Sequence, residues 1–140
     1  MSTSVINQNR KSKTELNEIY FWTATIKNWN KLLEPDKFKD IIIESLSYLS
    51  DKKKIELFGF VIMPNHMHLI WRLIAMNGKE SPASSLLKFT SHSFEKKILL
   101  DYKNDIMPFK VHSRNKMFEF WQRDSLAIPL FTKKVSFQKT

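Results

Sequence analysis

Residues 58–71 constrain the fold more than any other stretch, because two apolar runs meet there at a Pro-Asn corner. Proline fixes its own φ and lacks an N–H, so Pro64 is expected to end a strand, and the asparagine after it favours a turn. Side chains alternate between the two faces of a strand, so His66 and His68 would share one face while Met67 points to the other. The pattern predicts a hairpin whose second strand begins with two neighbouring imidazoles.

Two histidines on one strand face suit the chelation of a metal ion, since imidazole is a frequent metal ligand. The alternative is that both side chains are partly buried and hydrogen-bonded without a metal, and spacing alone leaves both interpretations open. Arg72 falls on the same face two rungs further along the strand, where it could contact a phosphate. A surface arginine without that role fits its position equally well.

Composition indicates one compact domain with a polyanionic partner. The chain has 140 residues, 42% of them hydrophobic, which is enough to bury a full core. It contains no cysteine, as expected of a cytoplasmic protein without disulfides. No apolar run reaches the roughly 18 residues that span a bilayer, so no membrane association is expected. The net charge of +9 favours nucleic acid ahead of an acidic membrane surface.

The periodicity of the remaining chain predicts the order of its elements. Residues 1–17 are polar and basic and predict a flexible tail, so we place a single domain over 18–140. Strands are expected over 19–27, over 55–63 and over 66–73, with the second one central because it is apolar on both faces. A helix should begin with Pro35 at its first position and bury a stripe formed by Phe38, Ile41, Ile42, Ser45, Leu46 and Leu49.

A second helix should begin at the N-cap Ser81 and run to about Tyr102. Its expected core side carries Ala83, Leu87, Phe94, Ile98 and Tyr102. The opposite side carries Lys88, His92, Lys96 and Lys103, which solvation alone can explain. Trp22 and Trp29 are expected to be core and rim aromatics rather than platforms for base stacking.

Nine consecutive residues, from Val61 to Leu69, resemble the motif of the single-tyrosine HUH transposases, specifically the REP-associated and related insertion-sequence enzymes. That family is named for its histidine–hydrophobic–histidine sequence. Met117 to Asp124, which contains Trp121-Gln122, resembles the family segment that forms the last strand. The order is then strand, helix, strand, strand, helix, strand, which is the α+β ferredoxin-like order of an antiparallel sheet with helices on one face.

The resemblance implies a function and a set of site residues. Its reaction cleaves and rejoins single-stranded or hairpin DNA through a 5′-phosphotyrosine, with Mg²⁺ or Mn²⁺ as the cofactor. His66 and His68 would be metal ligands. The residues that would contact DNA are Arg72, Lys88, Thr90, Ser91, His92 and Arg123.

The nucleophile of the family is a tyrosine on a helix after the Trp-Gln strand, and no tyrosine follows Trp121 here. We therefore expect the catalytic helix to be missing from this chain. Tyr20, Tyr48 and Tyr102 all fall on apolar strands or stripes, where a phenol without an activating neighbour is inert. No catalytic residue is evident, and Tyr102 is kept only as a candidate.

Two functions of different classes remain. The first is a transposase of the HUH class that lacks its nucleophile. The second is a non-catalytic DNA- or RNA-binding domain on the same fold, in which the histidines serve packing. A homodimer is possible in either case, because many relatives are dimers, although the REP-associated ones need not be.

Overall fold

The computed structural model describes residues 14–101, 107–111 and 118–130. Within these ranges, strands β1 (Ile19–Thr25), β2 (Ile55–Ile62), β3 (His66–Leu73) and β4 (Leu126–Pro129) form one antiparallel sheet in the order β2-β3-β1-β4. Helix α1 (Asp36–Asp51) joins β1 to β2, and helix α2 (Pro82–Asp101) follows β3. This order and pairing are those of the ferredoxin-like α+β fold, so the predicted fold class is confirmed.

Strand β3 begins and ends where the alternation of its side chains predicts, at His66 and Leu73. Its buried face and that of β1 form the core together with the two helices. The buried side chains of the two strands are Tyr20, Trp22, Ala24, Met67, Leu69, Trp71 and Leu73. The helices therefore cover one face of the sheet.

The other face of the sheet, called the open face below, is left uncovered by the described elements. Val61, Ile70 and Ile128, on three different strands, are 52%, 38% and 45% exposed. The register places on this face His66, His68, Ile70 and Arg72 of β3 together with Phe21, Thr23 and Thr25 of β1. The histidines thus lie on the side of the sheet that the helices leave free.

Helix α1 buries all six residues of its predicted stripe. One detail of the prediction is wrong: Pro35 is the N-cap, with an extended ψ of 142°, and the helix begins at Asp36. Helix α2 begins as predicted, because Ser84 N–H donates to the Ser81 hydroxyl at 3.1 Å. Its buried residues include Leu86, Thr90, Phe94 and Ile98, whereas the predicted Ala83 and Leu87 are only partly buried beside the core.

The prediction that β2 is a central strand is wrong, because β2 lies at the edge of the sheet. Ile55 is buried and Leu57 and Ile62 pack partly against the core, but Phe58 is 53% and Phe60 is 45% exposed. A bulge between Leu57 and Gly59 also breaks the strict alternation. The apolar run of β2 therefore did not indicate a central position in the sheet.

The prediction that the Trp-Gln segment is the last strand is also wrong. Trp121 makes an isolated bridge with Ile26, and the strand itself is Leu126–Pro129. Trp121 pairs with Ile26, and Leu126 pairs with Thr23. Between these two pairs this segment advances five residues while the facing segment advances three, so two extra residues interrupt the pairing. Asp124, with φ of 59°, lies in this interruption. No helix of the described ranges is long and apolar enough to cross a membrane.

Candidate functional site

The corner that carries the histidines is held by hydrogen bonds from the segment after β1. Pro64 and Asn65 form the loop between β2 and β3. Leu33 N–H donates to the Pro64 carbonyl, and Ile26 N–H donates to the Asn65 carbonyl, each at 2.9 Å. Because both carbonyls of the loop are engaged, the beginning of β3 and His66 are fixed relative to β1.

The two imidazoles are oriented through their Nδ1 atoms. His66 Nδ1 lies 2.7 Å from Asn65 Oδ1, which can only accept, so this nitrogen carries the proton and donates. His68 Nδ1 lies 2.9 Å from the hydroxyl of Thr23, the residue directly opposite it on β1. The ring centroids are 4.8 Å apart. With each Nδ1 beside a protein oxygen, Nε2 is the ring nitrogen that would bind a ligand, and for His68 this requires the tautomer in which Nδ1–H donates to the Thr23 hydroxyl.

The surroundings of His68 favour its neutral form. Burial lowers the pKa of His68 below its ordinary value of 6.5, and the neighbouring His66 lowers that pKa further. A neutral imidazole offers a lone pair to a divalent cation, and nitrogen ligands suit Mn²⁺ better than Mg²⁺. The pair would supply two nitrogen ligands to such an ion. In the described part of the chain, no His, Cys, Asp or Glu joins the pair to form a group of three.

Four rings form a continuous row across the open face, which we call the ring row: Trp29, His66, His68 and Phe21. Trp29 meets His66 edge to face with centroids 6.4 Å apart. At the other end, Phe21 stacks on His68 at 5.1 Å and 22°. The prediction for the tryptophans is confirmed for Trp22, which is fully buried, while Trp29 is a rim residue that is 60% exposed.

Cations lie beside the histidine end of the sheet. Gln122 N–H donates to the carbonyl of Thr25, whose partner on β3 is His66, so this segment lies next to the pair. Glu119 forms ion pairs with Lys27 at 3.8 Å and with Arg123 at 3.4 Å. The Arg123 side chain is 87% exposed, so this ion pair is weak and the guanidinium can reach another anion.

Arg72 is on the open face, as its spacing predicts, and it is engaged with a neighbour. Its Nε lies 3.3 Å from a carboxylate oxygen of Glu56, the residue opposite it on β2. That N–H is not aimed at the oxygen, so the contact is an ion pair without a directed hydrogen bond. Four residues along β3 separate Arg72 from His68, about 13 Å at the usual rise of a strand. Arg72 is therefore paired with Glu56 rather than placed beside the histidine pair.

The other predicted contacts lie on α2, on the opposite side of the sheet. Lys88 is exposed and pairs with Glu80 at 3.1 Å, which lowers the pKa of that carboxyl through hydrogen bonds from Lys88 and Ser85. His92 is exposed, and Ser91 is half-buried. Lys88 and His92 line a cleft of about 390 Å³ between the helices. The structure does not bring these residues together with the histidine pair.

The prediction that Thr90 contacts DNA is wrong, because Thr90 is fully buried. Its hydroxyl donates to the carbonyl of Leu86 at 2.7 Å and accepts the indole N–H of Trp121 at 2.9 Å. Thr90 therefore has a structural role, since it ties the Trp-Gln segment to α2. Its spacing in the sequence could not distinguish the two roles, because the partner lies 31 residues away.

None of the tyrosines in the described ranges approaches the histidine pair. Tyr20 lies on the buried face, its hydroxyl accepts the Glu15 N–H at 2.8 Å, and burial raises its pKa. Tyr48 is exposed on α1, where the Lys52 ammonium lies 5.8 Å from its ring centroid. Tyr102 lies outside the described residues.

Sequence reasoning missed the residues that support and flank the pair: Thr23, Asn65, Phe21 and Trp29. Asn65 adjoins His66, and its amide could have been recognised as a partner from adjacency alone. Thr23 and Phe21 become neighbours of His68 only through the register of β1 against β3, which no local pattern reveals.

Comparison with known proteins supports the fold. No protein-family model matches the chain, and no curated protein matches it. A solved structure of a REP-associated tyrosine transposase bound to a REP hairpin matches with a TM-score of 0.56 at 16% identity. The match covers 89% of this chain and 63% of the transposase, so this chain spans less than two thirds of that protein. At this identity the likeness shows a shared fold.

Proposed function

We propose that this chain is a transposase-like domain of the HUH class that binds single-stranded or hairpin DNA on its open face. His66 and His68 would hold Mg²⁺ or Mn²⁺ through their Nε2 atoms, with a phosphate oxygen of the DNA and water in the remaining positions. The observation that carries the proposal is the orientation of the pair, since both Nδ1 atoms contact protein oxygens and the Nε2 atoms are the candidate ligand atoms. The bound ion would act as a Lewis acid on the phosphate.

Charge and shape also support a nucleic acid as the ligand. The chain carries a net charge of +9, and Lys27 and Arg123 lie at the histidine end of the sheet. The open face offers a row of rings beside these cations, and rings together with cations are the combination that binds single-stranded nucleic acid. The structural neighbour with this fold is bound to a REP hairpin, which favours a DNA hairpin as the substrate.

The family reaction would need a tyrosine oxygen to form a bond to phosphorus while the bond to the 3′ oxygen breaks, leaving a 5′-phosphotyrosine and a 3′-hydroxyl. No described tyrosine is placed for that attack. This observation favours a second candidate function, a nucleic-acid-binding domain that shares the fold without the chemistry. The two candidates differ in whether a covalent adduct forms, and they share the open face as the binding surface.

The test is a pair of assays with a labelled DNA hairpin that carries single-stranded flanks. Electrophoretic mobility shifts at increasing salt measure the binding constant. Its logarithm should fall linearly with the logarithm of the salt concentration, with a slope of about −0.7 per neutralised phosphate of a single strand. Blunt duplex of the same length should bind more weakly. A variant that should bind the hairpin as tightly as the wild type does is Lys96→Ala, because Lys96 is exposed on α2 on the far side of the sheet.

A denaturing gel of the same mixture with Mn²⁺ then separates the two candidates. Label that survives SDS and migrates with the protein indicates the transposase reaction, and peptide mapping identifies the tyrosine. Binding without an adduct indicates the non-catalytic domain. Absence of binding to any single-stranded or hairpin DNA at low salt contradicts both.

A further inference from the structure

Trp29 combines two properties that packing alone does not explain, its exposure and its left-handed backbone. It is 60% exposed, whereas the other three of the four tryptophans, Trp22, Trp71 and Trp121, are at most 5% exposed. Its backbone has φ of 59°, and the preceding Asn28 has φ of 56°. Asparagine tolerates the left-handed region, but a bulky aromatic residue rarely occupies it.

The strained backbone is held by its surroundings. Trp29 N–H donates to the Ile26 carbonyl at 2.9 Å, and Asn30 N–H donates to the Lys27 carbonyl at 3.2 Å. Ile26 is fully buried and bonded to the Asn65 carbonyl of the β2–β3 loop. The loop that holds the histidines therefore also fixes the turn that presents Trp29. Strain maintained in this way is typical of positions where a side chain is presented to a ligand.

The position of the indole relates it to the histidine pair. Its ring centroid is 6.4 Å from that of His66, and the two ring planes make an angle of 69°. Trp29 is thus the exposed end of the ring row, adjacent to the imidazole that would face a phosphate. A nucleotide has its base one sugar away from its phosphate, so a phosphate at His66 leaves a base within reach of Trp29.

We propose that Trp29 is a stacking platform for an unpaired nucleobase next to the phosphate at the histidine pair. The inference rests on the proposed function and deepens it, because it assigns a base subsite to a site otherwise described by phosphate and metal contacts. Stacking on an aromatic face tolerates any base, so this subsite selects unpaired DNA over duplex rather than one sequence over another. The cations Lys27 and Arg123 at the same end of the sheet suit the backbone of the same strand.

The experiment uses the full chain and an oligodeoxythymidylate, which forms no hairpin, beside an abasic oligonucleotide of equal length. Fluorescence anisotropy measures both affinities for wild type, Trp29→Ala, Trp29→Phe and the control Tyr48→Ala. Tyr48 is a suitable control because it is 54% exposed but lies on α1, on the far side of the sheet. Circular dichroism confirms that each variant folds, as expected for exposed positions.

The proposal predicts that Trp29→Ala weakens binding to the oligodeoxythymidylate by between about 5-fold and about 140-fold, the range for loss of one base–aromatic stack. It predicts an equal affinity of wild type and Trp29→Ala for the abasic strand, a small loss in Trp29→Phe, and none in Tyr48→Ala. DNA should also protect the tryptophan fluorescence of the wild type from acrylamide, since Trp29 supplies the accessible fraction.

Two results overturn the stacking proposal while leaving the proposed function intact. One is wild-type affinity in Trp29→Ala, and the other is an equal loss on the abasic strand. If, without DNA, the tryptophan fluorescence becomes protected from acrylamide as the protein concentration rises, Trp29 serves self-association of the chain instead. If wild type binds neither oligonucleotide and does not bind the labelled hairpin at low salt, the proposed function and the stacking proposal fail together.

Discussion

Replacing Thr90 by valine tests how α2 is fastened to the Trp-Gln segment. The substitution conserves shape and leaves no cavity, but it removes the acceptor of the buried Trp121 indole N–H. The Leu86 carbonyl loses a bond from the same hydroxyl, at little cost because it is a helix carbonyl that still accepts a backbone N–H. A buried donor left without a partner costs about 1–3 kcal/mol, and we expect the free energy of unfolding to fall by that amount.

Urea denaturation followed by circular dichroism measures this loss, and a melting temperature lower by about 3–12 °C should accompany it. Thr90→Ser is the matched control, because it keeps the hydroxyl. In a Trp121→Phe background, which lacks the donor, Thr90→Val should cost almost nothing, so the double-mutant cycle should give a coupling of about 1–3 kcal/mol. An equal cost in both backgrounds would refute the assignment of this hydrogen bond.

Three further predictions concern the ring row and its supports. Trp29→Gly should be more stable than Trp29→Ala by up to about 1 kcal/mol, because glycine adopts the left-handed backbone conformation without strain. If thermal unfolding shows the alanine variant to be more stable than the glycine variant, the backbone at Trp29 is not strained. Burial, and to a smaller extent the neighbouring His66, lower the pKa of His68 below 6.5 in the folded protein. The stability that neutral His68 contributes is therefore complete above pH 6.5 and is lost as the pH falls through the folded pKa. An NMR titration that gives His68 a pKa at or above 6.5 would contradict this. Thr23→Val should weaken Mn²⁺ binding roughly 10- to 100-fold in calorimetry while Thr23→Ser restores it, and unchanged affinity in the valine variant would show that the hydroxyl does not position His68.

The hairpin and α1 were predictable because a local pattern determines each. Pro64 ends β2, the alternation after it determines which side chains of β3 face the core, and the apolar stripe of α1 has one period throughout. The two histidines share a face for the same local reason. These statements require no knowledge of which strands are neighbours.

The errors arose where tertiary neighbours decide the outcome. The edge position of β2 depends on the order of the strands, which no local pattern reveals. Phe58 and Phe60 suggested a buried central strand because they are apolar, but both are exposed on this edge strand. Phe120 and Trp121 are both buried although they are adjacent, so their segment does not alternate as a strand would. The burial of Thr90 follows from this same packing, because Trp121 lies against α2.

The measurement that tests the central claim most directly is the titration of Mn²⁺ into the protein with the hairpin DNA present, followed by electron paramagnetic resonance. We expect one bound ion per wild-type chain. The variant His66→Ala/His68→Ala should bind none while it keeps its fold, as checked by circular dichroism, and His92→Ala should bind as wild type does because His92 lies on α2. Equal Mn²⁺ binding in wild type and in the double variant would contradict the assignment of His66 and His68 as metal ligands.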